Sequence, residues 1–163
     1  MSEPGRFNVL IVDDDPAVLA EYRFLLAKEG FKVFQAQNRA DTLPYIEQFR
    51  LDKRKPPEDI AQILALAIVD QNLKDPDPRK YERDYSAAGG IPLITQLRAA
   101  SPPTRILVCT AFKGTPADEG FAAARAGADA YLGKGDPALL LDRVRKELEF
   151  FESQYNRMIN KSL

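Results

Sequence analysis

Five short apolar runs, most of them stopped by a charged or hydroxyl residue, alternate with stretches of helical spacing along the chain. Phe7 to Val12 is apolar except for Asn8, the pattern of a strand covered on both faces. It halts at Asp13-Asp14-Asp15-Pro16, where Asp15 reads as a helix N-cap and Pro16 as the first helical residue. Val18, Leu19, Tyr22, Leu25 and Leu26 then recur at helical intervals until Gly30 ends the helix. Phe31 to Gln35 follows as a second strand, and Asn38 to Phe49 as a second helix that Pro44 weakens. Ala65 to Val69 is a third buried strand, ending on Asp70. A helix over Gly90 to Ala100 is broken by Ser101-Pro102-Pro103, and Arg105 to Cys109 is a fourth strand ending at Thr110. Thr115-Pro116 caps a helix closed by Gly127, Ala130 to Leu132 is a fifth strand ending at Gly133-Lys134, and Asp136-Pro137 caps a last helix running almost to Leu163. Five such units predict a doubly wound, five-stranded parallel sheet with helices on both faces and an extended C-terminal helix. Arg50 to Asp59 and Lys74 to Tyr85, charged and proline-bearing, read as solvated loops.

The totals narrow the function classes. At 163 residues, 45% hydrophobic and 29% charged, the chain suits one well-cored soluble domain. A formal net charge of −1 supplies no basic field for nucleic acid, and no recognition-helix pattern follows the sheet. No apolar run reaches the length of a membrane span, and Met1-Ser-Glu-Pro-Gly-Arg lacks the layout of a signal peptide. One cysteine, Cys109, forms no internal disulfide, so the default compartment is the cytoplasm. With no histidine, Ser-His and Cys-His nucleophile pairs are excluded. Any metal must then sit on oxygen ligands, which favours Mg²⁺, Ca²⁺ or Mn²⁺. A phosphoryl group that travels through a histidine must come from another protein or another chain.

The chemistry gathers where the strands stop, because ligands of an open parallel sheet bind beyond the carboxyl ends of its strands. Asp13 and Asp14 follow the first strand, Asp70 the third, Thr110 the fourth and Lys134 the fifth. Carboxylates crowded together repel and call for a hard cation. A carboxylate beside such a cation can attack a phosphoryl group in line, while a lysine and a hydroxyl neutralise and bind the phosphoryl oxygens. Taken singly these residues have plainer readings: the acidic run as a helix start, Thr110 as a strand residue, Lys134 as a solvated lysine, Cys109 as core.

Four motifs together resemble the response-regulator receiver domains of two-component and phosphorelay signalling. They are Val9-Leu-Ile-Val-Asp13-Asp14-Asp15-Pro16, Ala67-Ile-Val-Asp70-Gln-Asn72-Leu73, Ile106-Leu-Val-Cys-Thr110-Ala111 and Gly127-Ala-Asp-Ala-Tyr131-Leu-Gly-Lys134. The resemblance covers roughly residues 7 to 148 and implies a CheY-like, flavodoxin-like fold. It implies that Asp70 is the phosphoacceptor and that Asp13, Asp14, Asp70 and the main-chain carbonyl of Asn72 hold Mg²⁺, with Mn²⁺ an alternative. Thr110 would be the switch hydroxyl, Lys134 the phosphate counter-ion and Tyr131 the aromatic that changes rotamer, though a strand tyrosine is more often simply packed. The partner implied is a sensor histidine kinase or a histidine phosphotransfer protein, and the chain would be a switch rather than an enzyme on other substrates. Its partner-binding face would span Thr115 to Leu148.

The chain departs from the family pattern at several points. Leu73-Lys74 stands where Met-Pro is usual, and Lys134-Gly135 where Lys-Pro is usual, so no cis bond is expected after Lys134. Phe112, two residues past Thr110, offers nothing polar to orient water, which predicts a long-lived aspartyl phosphate.

In the last helix Leu141, Val144, Leu148, Phe151, Tyr155 and Met158 form a heptad seam. The expectation is a receiver domain over 1–148 and a C-terminal extension over 149–163. There Phe150, Phe151, Tyr155 and Met158 would outrun the core and serve as a linker or a homodimer helix; the alternative is that the tail folds back. Two other functions compete. A Mg²⁺-dependent phosphatase resembling the haloacid dehalogenase family would use Asp13 as nucleophile with Asp15, Thr110, Lys134 and Asp136, but it needs Gly where Pro16 stands and gives Asp70 no role. A receiver-like binding module without phosphorylation would leave the filled chemical positions unexplained.

Overall fold

In a computed structural model, which describes residues 4–51, 57–71, 73, 90–110 and 123–161, the five apolar runs pair into one sheet. Strands β1 (Asn8–Val12), β2 (Lys32–Ala36), β3 (Leu64–Asp70), β4 (Arg105–Thr110) and β5 (Ala130–Gly133) lie in the order β2-β1-β3-β4-β5. Every pairing is parallel. Helices α1 (Pro16–Lys28) and α4 (Pro137–Lys161) cover one face, and α2 (Arg39–Gln48) and α3 (Gly90–Ala100) the other. The predicted fold class is the observed one.

The strand pattern follows from this layering. β1 and β3 are buried along their whole length, as two-sided strands must be. Val9 and Ile11 join the core under α1 and α4, while Leu10 and Val12 join the core under α2 and α3. Asn8, the polar interruption in the first run, is 2% exposed, and its amide donates to the carbonyls of Ala61 (2.8 Å) and Ile63 (2.9 Å). Both donor hydrogens are used, which offsets the cost of burying the group. The same residue sits at an irregularity in register: Asn8 pairs with Leu64 and Val9 with Leu66, so Ala65 is bulged out.

Boundaries differ from the sequence reading by a residue or so. β2 starts at Lys32 because Phe31 belongs to the closure of α1: its N–H donates to the Leu26 carbonyl, and that of Gly30 to Ala27. α2 runs through Pro44, whose ring is exposed, and forfeits one backbone bond there; the Asn38 side chain caps it through the Asp41 N–H at 2.8 Å. The helix expected from Thr115 and the loop at 74–85 lie outside the described residues, apart from the helical end at 123–126 closed by Gly127. Of the charged segment 50–59, the described part is anchored, with the Leu51 N–H on the Ala100 carbonyl at 3.0 Å and Asp59 capping a 3-10 turn (Ile60–Gln62).

The last helix corrects an expectation. Phe151 and Tyr155 do not outrun the core: they are 0% and 6% exposed, and Met158 packs against the same cluster. The ring of Phe151 meets that of Phe7 edge-on at 6.3 Å and stacks with Tyr155 at 6.0 Å. The Tyr155 hydroxyl donates to the Pro57 carbonyl at 2.7 Å. The heptad stripe is therefore consumed by the chain's own sheet and by the segment leading into β3. Of the four residues only Phe150 stays open, with the Arg105 guanidinium 5.1 Å over its ring.

Two outcomes follow from this packing. Phe151→Ala is expected to lower the unfolding free energy by about 3–5 kcal/mol in urea titrations. Phe150→Ala, at a position 54% exposed, is expected to cost less than about 1 kcal/mol. Cys109 lies in the α1/α4 core, and burial, moderated by Lys134, pushes its thiol up to about 12. An unfolded thiol ionises near pH 8.5 and the folded one only near 12, so this group's contribution to stability falls as pH rises through that window. Cys109 is expected to resist a thiol-specific reagent at pH 8 until denaturant is added.

Candidate functional site

The site is placed by strand register. Val12 pairs with Val69, so the residues that follow, Asp13 and Asp70, emerge side by side. Asp70 pairs with Cys109, and Thr110 with Gly133, which sets Thr110 and Lys134 at the same edge. Beyond β1 the chain turns to α1 on one face, and α3, on the other face, lies beyond β3. This divergence between neighbouring strands is the switch point at which doubly wound sheets open a crevice.

Within it, carboxylate oxygens of Asp13, Asp14 and Asp70 all lie within 4.8 Å of one another. Asp13 and Asp70 are 2% and 5% exposed, and Asp14 is half-buried. Asp13 is held firmly: its N–H donates to the Ala36 carbonyl at 3.1 Å, its Oδ1 accepts from the Asp15 N–H at 2.9 Å, and its Oδ2 accepts from Lys134 Nζ at 2.5 Å. The same ammonium stands 3.3 Å from Asp70 Oδ2. Burial alone would lower the Lys134 ammonium, but its bonds and attraction to Asp13 and Asp70 outweigh that and hold it above its ordinary value. Among the described residues, one ammonium stands against three carboxylates. The donor set is all oxygen, charged and partly desolvated, and this fits a hard divalent cation rather than a soft metal.

The remaining expected residues fall as follows. Thr110 ends β4 at 2% exposure, and its carbonyl accepts the Lys134 N–H at 2.8 Å. Tyr131 lies on β5, partly buried against the α2/α3 core. Asp15 caps α1 through the Ala17 N–H, and Asp136 caps α4, so both serve helix starts. Asn72 and Phe112 lie outside the described residues. The peptide after Lys134 is not cis, in keeping with Gly135 in place of proline.

Two neighbours of the site escaped the sequence reading. Gly90, the first residue of α3, donates its N–H to the Gln71 carbonyl at 2.9 Å, and a Cβ on it would lie 2.5 Å from the Asp70 carbonyl oxygen. Only glycine lets α3 start this close to the Asp70 backbone. In the sequence it is merely a helix start after a long charged segment. Tyr22 lies on the buried face of α1, and burial, together with the negative potential of Asp13, Glu21 and Asp70, raises its hydroxyl above the usual phenol range. Its helical spacing marks it as core and gives no hint of the acids nearby.

No protein-family model matches the sequence, and no curated protein matches it. Solved structures do. A CheY-like response regulator receiver domain protein from Methanospirillum hungatei JF-1 superposes with a TM-score of 0.70 at 25% identity, over 91% of this chain and 98% of its own. A response regulator from Burkholderia pseudomallei, solved with a phosphorylated aspartic acid, a calcium ion and citrate, gives 0.61 at 23% identity over 94% and 74%. One from Thermotoga maritima gives 0.62 at 23% identity over 88% and 98%. With its sheet order, its strand-end residues and these neighbours, the chain is a protein of the CheY-like receiver fold, similar to the response-regulator receiver domains.

Proposed function

We propose that this chain is the phosphoacceptor of a two-component or phosphorelay system and that Asp70 takes the phosphoryl group. The observation that carries the reading is the meeting of three carboxylates within 4.8 Å with an ammonium 3.3 Å from Asp70. In this reading an Asp70 carboxylate oxygen attacks phosphorus, the O–P bond forms, and the bond to the donor's histidine nitrogen breaks. The histidine belongs to a sensor kinase or phosphotransfer protein, since this chain has none. Lys134 pairs with the charge on the transferring oxygens, and Thr110 binds the phosphoryl group once attached. Asp13, Asp14, Asp70 and, by resemblance, the Asn72 carbonyl would hold Mg²⁺ or Mn²⁺, which supplies charge neutralisation for the incoming phosphoryl group. The structural relative with a phosphorylated aspartic acid and calcium supports this assignment. By resemblance Tyr131, on β5 and partly buried against the α2/α3 core, is the candidate switch aromatic, and the same reading places the chain in the cytoplasm. Among the described residues no helix is long and apolar enough to cross a membrane.

The phosphatase alternative is weaker on geometry. Asp13, its required nucleophile, has one oxygen on a backbone N–H and the other on Lys134. Of the residues that suggested the homodimer reading only Phe150 stays exposed, since Phe151 and Tyr155 lie in the core and Met158 packs against it.

Incubation with acetyl phosphate and Mg²⁺ is expected to add one phosphoryl group, seen by intact mass, and Asp70→Asn to abolish it. Labelling that survives Asp70→Asn and vanishes in Asp13→Asn would transfer the reading to the phosphatase. Chelation by EDTA is expected to stop the reaction and added Mg²⁺ to restore it. Lys134→Ala is expected to slow phosphorylation roughly a hundredfold or more, followed by the same mass shift over time.

A further inference from the structure

Lys134 is gripped from two sides. Its N–H is tied to β4 through the Thr110 carbonyl at 2.8 Å. Two residues on, Asp136 Oδ1 accepts from the N–H groups of Ala138 (3.0 Å) and Leu139 (3.3 Å), which fixes the start of α4. That helix is itself seated by Leu140, Val144, Leu148 and Phe151, none more than 2% exposed. Between the two fixed points stands Gly135 with φ of +121°, a conformation that L side chains rarely adopt. Among the described residues a Cβ there would meet nothing within 4 Å. Any cost of a side chain at 135 is therefore a cost of backbone conformation and not of crowding.

We infer that Gly135 is a positioning residue whose left-handed backbone aims the Lys134 ammonium at Asp13 and Asp70. The strain of an L residue must be relieved by whichever neighbour is held least. The helix is anchored by four buried side chains, whereas Lys134 is held by the backbone bond to Thr110 and, at the end of a flexible stem, by its ion pairs with Asp13 and Asp70. Lys134 is the part that gives way. The proline usual in the family cannot supply this turn in the same way, because its ring holds φ near about −65°.

Gly133 provides an internal control. It flanks Lys134 on the other side, its Cβ would also meet nothing within 4 Å among the described residues, and it is not among the positive-φ glycines. Alanine is acceptable at 133 and strained at 135.

The inference rests on the phosphoacceptor reading only for its consequence in rate, so the experiment reads Lys134 directly. A brief pulse of acetic anhydride on the folded full chain, followed by peptide mass mapping, gives the acetylation rate of each lysine. In the wild type Lys134, with a side chain 14% exposed and ion-paired, is expected to react at least about tenfold more slowly than Lys146, whose side chain is 58% exposed. Gly135→Val and Gly135→Ala are expected to raise the Lys134 rate about tenfold in a chain that still melts cooperatively, and Gly133→Ala to leave it as in the wild type. Phosphorylation by acetyl phosphate is expected to slow in step. Unchanged Lys134 labelling in a folded Gly135→Val, or in Gly135→Ala where the valine variant does not fold, overturns the inference, as does an equal rise in Gly133→Ala. A wild type that takes no phosphoryl group while Lys134 still responds to Gly135→Ala removes the phosphoacceptor reading and leaves the positioning role standing.

Discussion

Three carboxylates share the carboxyl edge of β1 and β3, and a single lysine from the end of β5 reaches across β4 to meet two of them. Like charges this close, with two of the three acids nearly excluded from water, are unfavourable unless something positive joins them. Lys134 partly supplies it, at 2.5 Å from Asp13 and 3.3 Å from Asp70. The rest of the fold is arranged to keep these four side chains where their charges oblige them to interact. Parallel register levels the strand ends, Asp15 pins one Asp13 oxygen while capping α1, and Gly90 admits α3 close behind Asp70.

The opposite edge of the sheet is tied by arginines. Arg98, on α3, donates to the carbonyls of Thr104 and Gly127 and to the Asp129 carboxylate. Arg105, at the start of β4, reaches Glu147 at 2.7 Å and Asp129 at 3.3 Å. Glu147 lies 2% exposed within α4, and its charge is tolerable there because Arg105 donates to it directly and Arg143 stands at 3.8 Å. These contacts bind α3, the approach to β5 and α4 together at the end remote from the acids. The two ends differ in kind: among the described residues the remote end is charge-compensated and structural, while at the carboxyl edge three carboxylates face one ammonium and so offer a place for a ligand.

The sequence was legible where the physics is local or periodic. A run such as Ile106 to Cys109 reads as a two-sided strand because every residue in it is apolar. Asp13, Asp70, Thr110 and Lys134 could be grouped because parallel strands bring their carboxyl ends to one edge. Periodicity also found the stripe on α4, but it could not say what the stripe touches. The partner of Phe151 is Phe7, and that of Tyr155 is the Pro57 carbonyl, both remote in the chain. Asn8 was similarly opaque: a polar residue in a buried strand looks like a flaw until the carbonyls of Ala61 and Ile63 are seen to need it.

By itself, then, the amino-acid sequence determined the alternation of strands and helices, the caps at Asp15 and Asp136, and the set of chemical groups gathered at one edge. These depend on neighbours in the chain or on a repeating period, and residue order encodes them directly. Tertiary structure alone decided that α4 beyond Leu148 belongs to the core, that Lys134 bonds Asp13 more closely than Asp70, and that Gly90 and Gly135 are needed as glycines. Those outcomes turn on ångström-scale distances between segments far apart in the chain, and on a backbone angle that two fixed elements impose on the residue between them.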